Sequence, residues 1–162
     1  MKKGSFIFIV LALIGSILIS SKMYLNRKKP ANFYYTNLLV KNLSLYDKYE
    51  VKILDTNFYK RQDISNEDIK IICSFFKELK KPNFITPSSS FNEKPKYKIF
   101  FSFPQSKEKY VINVYNSEYL SVQPWDGDFP MDYISTKNIP FRFSIYNLCK
   151  NAFFSKQNTL KP

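Results

Sequence analysis

Histidine is missing altogether from the 162 residues. Its absence removes the usual general base near neutral pH, the commonest nitrogen ligand for metals, and every Ser-His or Cys-His nucleophile pair. Cysteine is nearly as scarce, with Cys73 and Cys149 far apart in the chain. Two thiolates do not complete a zinc site, which takes about four ligands. Both cysteines sit on apolar stripes of helical periodicity, so buried free thiols are the favoured reading and a Cys73–Cys149 disulfide the alternative. No cofactor is expected. Acid is also short: Lys and Arg number 25 against 13 Asp and Glu, a formal charge of +12. Residues 1–29 carry six basic and no acidic side chains, so half of that charge belongs to the amino-terminal stretch. The other half would suit an anionic partner such as nucleic acid or a cell-wall polymer. Most of the basic residues are lysine, and Asn, Ile, Tyr and Phe are also abundant, so a bias toward AT-rich codons accounts for much of the charge without any ligand.

What the sequence does have is an apolar run, Gly4 to Ser21, eighteen residues without a charge. As a helix it rises roughly 27 Å, and extension to Leu25 brings it to roughly 33 Å, against a hydrocarbon core of about 30 Å. The run is longer than the apolar part of a secretory signal and ends in Leu18-Ile19-Ser20-Ser21, a poor cleavage site, so the reading is an uncleaved single-pass anchor through residues 4–25. A secreted protein, cleaved after this segment, is the alternative. No cysteine adjoins the run, which argues against lipid attachment there. Basic residues flank both ends, and a short lysine start leading into an apolar run is how export signals begin, so the domain is expected outside the cytoplasm.

Residues 30–47 have no clean period and are expected to be a juxtamembrane linker, with 48–154 the globular domain and 155–162 a disordered tail. Residues 50–55 read as a strand. Residues 66–80 read as a helix, with Ser65 as N-cap, Asp68 three positions on, Lys77, Lys80 and Lys81 near its end, and Ile69, Ile72, Cys73, Phe76 and Leu79 on its buried face. The prolines and serines of 82–95 predict a mobile surface loop. Residues 96–103, 109–115 and 118–123 alternate as an antiparallel meander, and 141–153 has helical spacing. The expected fold is α+β: an N-terminal transmembrane helix, then a small two-layer domain of order β-α-β-β-β-α, its meander sheet packed by one or two helices and the first strand at an edge.

Between meander and last helix lies Gln123-Pro124-Trp125-Asp126-Gly127-Asp128-Phe129. This stretch resembles that of a family of small membrane-anchored or exported bacterial proteins of unknown function, which carry Gln-Pro-Tyr-x-Gly-Ile-Tyr. Gln123, Pro124 and Gly127 match, Trp125 and Phe129 replace the tyrosines, and Asp128 replaces the isoleucine. The resemblance implies an architecture and a compartment, and no activity. Gln123, Trp125, Asp126, Asp128 and Phe129 form the candidate interaction surface, an aromatic beside turn acids and prolines. Its alternative is Trp125 as a lid on the core.

Asp126, Asp128 and Asp132 lack the spacing of a calcium loop. Phe100, Tyr115 and Tyr119 with Lys96, Lys98 and Lys109 could make a stacking platform for single-stranded nucleic acid, but core filling between sheet and helix is the favoured reading. The start Met1-Lys2-Lys3-Gly4 resembles that of a pilin, although Ile9 stands where such proteins carry glutamate. The sequence therefore points to a non-catalytic, membrane-anchored extracytoplasmic binding or interaction module. Its expected partners are the bilayer and a second membrane or envelope protein rather than nucleic acid. A carboxylate hydrolase, a basic aromatic binder of nucleic acid or anionic polymer, and a minor pseudopilin are the alternatives.

Overall fold

The computed structural model describes residues 12–17, 32–125 and 131–154. The chain divides into two units, Met1–Pro30 and Ala31–Pro162. In the first, residues 12–17 are helical, Ser16 Oγ donates to the Ala12 carbonyl at 2.8 Å, and Leu13, Ile14 and Ile17 are exposed. Most of the predicted anchor lies outside the described residues. Among those described, no helix is long and apolar enough to cross a membrane.

The second unit is built on an antiparallel sheet in the order β2-β1-β3-β4-β5-β6. Its strands are β1 (Glu50–Asp55), β2 (Lys60–Asp63), β3 (Tyr97–Phe103), β4 (Glu108–Val114), β5 (Tyr119–Pro124) and β6 (Asp132–Ser135). The three helices described in this unit are α1 (Tyr34–Leu45), α2 (Asn66–Glu78) and α3 (Ile145–Phe154). Alternation assigns one side of each long strand to the core: Tyr97, Ile99, Phe101 and Phe103 from β3, then Tyr110, Ile112 and Val114 from β4. Leu39 of α1, Ile72, Phe75 and Phe76 of α2, and Ile145, Leu148 and Cys149 of α3 join the same cluster. The helices therefore cover one face of the sheet, as an α+β two-layer fold requires.

Several expectations change. The predicted linker at 30–47 contains α1, which belongs to the folded unit: its Leu39 is fully buried, and its Asn42 amide donates to the Glu108 carboxylate on β4. β1 lies inside the sheet, because β2 takes the edge and β6 adds a strand at the far side. α2 starts where expected, with the Asp68 amide donating to Ser65 Oγ at 3.1 Å and the Ser65 hydroxyl donating to the Asp68 carboxylate at 2.7 Å. Its buried face is turned toward Phe75, leaving Cys73 half-buried. α3 begins at Ile145 rather than Phe141, because Phe141–Phe143 form a separate 3-10 turn and Ser144 Oγ accepts from the Asn147 amide at 3.3 Å, the bond of an N-cap.

The 82–95 loop is held down. Phe91 is buried, its ring centroid 4.8 Å from that of Tyr133, 5.3 Å from Tyr115 and 5.5 Å from Tyr119. Asn32 fastens the start of the unit to the same region, accepting from the Tyr133 amide at 2.7 Å and donating to the Ile85 carbonyl.

Candidate functional site

The sheet face turned away from the helices is covered unevenly. Over β4–β6 the 81–95 segment packs Phe91 onto the tyrosines, above Asn113, Ser121 and Met131, whose polar atoms meet one another. Over β1–β4 the described residues leave a groove of about 270 Å³, lined by Glu50, Lys52, Leu54, Arg61, Phe100 and Trp125 together with Ser102 and Lys109. Strand register assembles it. Phe100 pairs with Lys52 on one side and Val111 on the other, Ser102 with Glu50 and Lys109, and Leu54 with Arg61. All of these point to the face opposite the core because side chains alternate along a strand.

Trp125 follows β5 and folds back over this face. Its ring lies 5.0 Å from Phe100 at 58°, and Lys109 Nζ stands 5.3 Å from its centroid. It remains 44% exposed, so it is an aromatic wall of an open groove and not a lid on the core. Three cations, Lys52, Arg61 and Lys109, face one lining carboxylate, Glu50, which pairs with Lys52 at 3.7 Å across exposed side chains. Such a pair is worth little and yields readily to a competing anion. The arrangement provides an aromatic surface with excess positive charge.

The predicted site residues fare unequally. Trp125 is in the groove, and Gln123 is half-buried beside it, paired with Val111. Asp126, Asp128 and Phe129 lie outside the described residues. Asp132 points to the core face and accepts from the Thr36 amide at 2.7 Å and the Thr36 hydroxyl at 2.8 Å, so it caps α1 instead of facing a cation. Among the described residues no group of three acids or thiols could hold a metal ion.

The proposed stacking platform separates. Phe100 and Lys109 enter the groove, Tyr115 and Tyr119 pack under Phe91, and Lys96 lies over the Tyr146 ring at 5.6 Å. Phe100, Tyr115 and Tyr119 thus belong to the face opposite the helices, not to the filling between sheet and helix. Lys52 and Arg61 were missed. Lys52 occupies an outward position of a strand that alternates legibly, whereas Arg61 sits in β2, whose Lys-Arg-Gln-Asp sequence carries no strand pattern.

Cys73 and Cys149 are separate free thiols. Burial pushes both thiols up from their ordinary pKa, with Lys77 opposing the shift at Cys73. Neither is favoured as the thiolate that nucleophilic or metal chemistry needs.

The family model described as Domain of unknown function (DUF4883) matches residues 29–149. The chain belongs to this family. That agrees with the expected family of unknown function and does not bear on the Gln-Pro-Tyr-like stretch itself. The matched DUF4883 region contains every strand of the sheet and every groove residue. The crystal structure of a candidate lipoprotein from Clostridium perfringens is similar, with a TM-score of 0.68 and 37% identity over 77% of this chain and 98% of that one. No curated protein matches.

Proposed function

We propose that this DUF4883 chain is a non-catalytic binding module of the cell envelope, held at the membrane by residues 4–25 with its domain outside the cytoplasm, and that the groove takes an anionic envelope polymer. The observation that carries this reading is the end of the sheet that the described residues leave open, where Phe100 and Trp125 stand among Lys52, Arg61 and Lys109. A polyanion suits that surface, its charges on the cations and the carbon backbone between them against the aromatic rings. The similar Clostridium perfringens protein is described as a candidate lipoprotein, which favours an envelope setting. In this chain the cysteines are Cys73 and Cys149, neither beside the apolar run, so attachment falls to the run itself. The exposed Leu13, Ile14 and Ile17 of the helical stretch at 12–17 agree with an apolar surrounding there.

Detergent-solubilised full-length chain mixed with poly(glycerol phosphate), with dextran and with a single-stranded oligonucleotide tests the reading. Binding to the phosphate polymer is expected, weakening with salt at a log–log slope of about −2 to −3 as roughly three cations are engaged. Equal, salt-insensitive binding to dextran would overturn the anionic reading. Preference for the oligonucleotide would move it to nucleic acid.

A further inference from the structure

A second surface lies at the tip of the β1–β2 hairpin. Phe58 and Tyr59 are adjacent there and 72% and 75% exposed, two neighbouring rings presented together to solvent. The turn that displays them is firmly built. Asp55 Oδ1 accepts from the Asn57 amide at 2.8 Å and the Phe58 amide at 3.2 Å, and Lys94 Nζ donates to the Thr56 carbonyl at 2.6 Å. Tyr59 has φ 53°, in the left-handed region that favours glycine and that a bulky side chain enters only with strain. A strained turn therefore holds two aromatic rings out in solvent.

Two cations stand beside them: Lys94 Nζ lies 5.0 Å from the Tyr59 ring centroid and Lys60 Nζ 5.9 Å from that of Phe58. Glu93 is the exposed acid beside them in sequence, and the buried Asp55 is engaged in the turn. An apolar ring beside a phenol, each with a lysine over it, matches the boundary between acyl chains and anionic headgroups. A turn already fixed in shape loses little freedom on entering that boundary.

We propose that this hairpin tip is a membrane-surface contact, inserting Phe58 and Tyr59 into the interface of an anionic bilayer with Lys60 and Lys94 on the headgroups. The contact uses none of the groove's lining residues, although the same hairpin carries Leu54 and Arg61 of the groove.

The chain has one tryptophan, Trp125, so Trp125→Phe combined with Phe58→Trp places a single reporter at the tip. This full-length variant is incorporated into vesicles of phosphatidylglycerol and phosphatidylcholine with or without brominated acyl chains. Flotation reads attachment of the chain as a whole, and fluorescence reads the tip. The expected result is at least twofold quenching by the brominated chains, lost in phosphatidylcholine alone and lost on adding Lys60→Glu and Lys94→Glu. Adding Tyr59→Asn, whose side chain tolerates the left-handed backbone, should weaken quenching while leaving the melting temperature equal or higher. Vesicle-bound protein with unquenched, water-like emission would overturn the proposal, as would quenching indifferent to lipid charge or to the lysine reversals.

Discussion

At Asp132 a carboxylate is 2% exposed and accepts from the amide and hydroxyl of Thr36, joining the far strand of the sheet to the first turn of α1. The N-cap residue of that helix, Phe33, has no side chain able to do this, so the cap comes from a strand almost a hundred residues later. Asp132→Ala leaves both Thr36 donors without this acceptor and should cost about 2–4 kcal/mol in denaturant unfolding. Burial raises the Asp132 pKa, with the Thr36 bonds opposing the shift. The unfolded chain therefore gives up this proton at a lower pH than the folded one. On that sign, wild-type stability gains from Asp132 as pH falls through its raised folded value and levels off below the ordinary carboxylate value of about 4. The gap between wild type and Asp132→Ala should widen as pH falls from 7 toward the ordinary carboxylate value. A gap that narrows would mean that the Thr36 bonds outweigh burial.

Among the elements, those with local signals were the legible ones. Ser65 and Asp68 mark the start of α2 without reference to any other part of the chain, and their side chains meet as that spacing implies. Ser65→Ala should lower unfolding free energy by about 1 kcal/mol, measured by chemical denaturation, with the sheet unchanged. β3 and β4 were also readable, β3 because it alternates over seven residues and β4 because Tyr110, Ile112 and Val114 recur at every second position. β2 and β6 were not, since Lys-Arg-Gln-Asp and Asp-Tyr-Ile-Ser are only four residues long and become strands through their neighbours' hydrogen bonds. α1 lacks a regular apolar stripe, its place being set by Leu39, Asn42 and the distant Asp132 cap. Phe91 shows the same limit in a loop: three tyrosines from three different segments bury it, and nothing local to 82–95 announces that.

For the whole molecule, the division of charge and of covered surface matters most. Helices lie on one side of the sheet and the Phe91 loop on part of the other, which leaves the Phe100–Trp125 groove as a basic, aromatic surface within the folded unit. Trp125 could be singled out from its neighbours in sequence, but the cations around it come from β1, β2 and β4, and only the strand order β2-β1-β3-β4 brings them together. Because Trp125 is the one tryptophan in the chain, its emission reports on this groove and nothing else. The most direct measurement is a titration of full-length wild type and of a Lys52→Glu, Arg61→Glu, Lys109→Glu variant with poly(glycerol phosphate), following Trp125 fluorescence and checking each fold by circular dichroism. The account predicts a saturable change in the wild type and at least tenfold weaker binding in the folded charge-reversed variant. No change in Trp125 emission, or equal binding by both proteins, would contradict it.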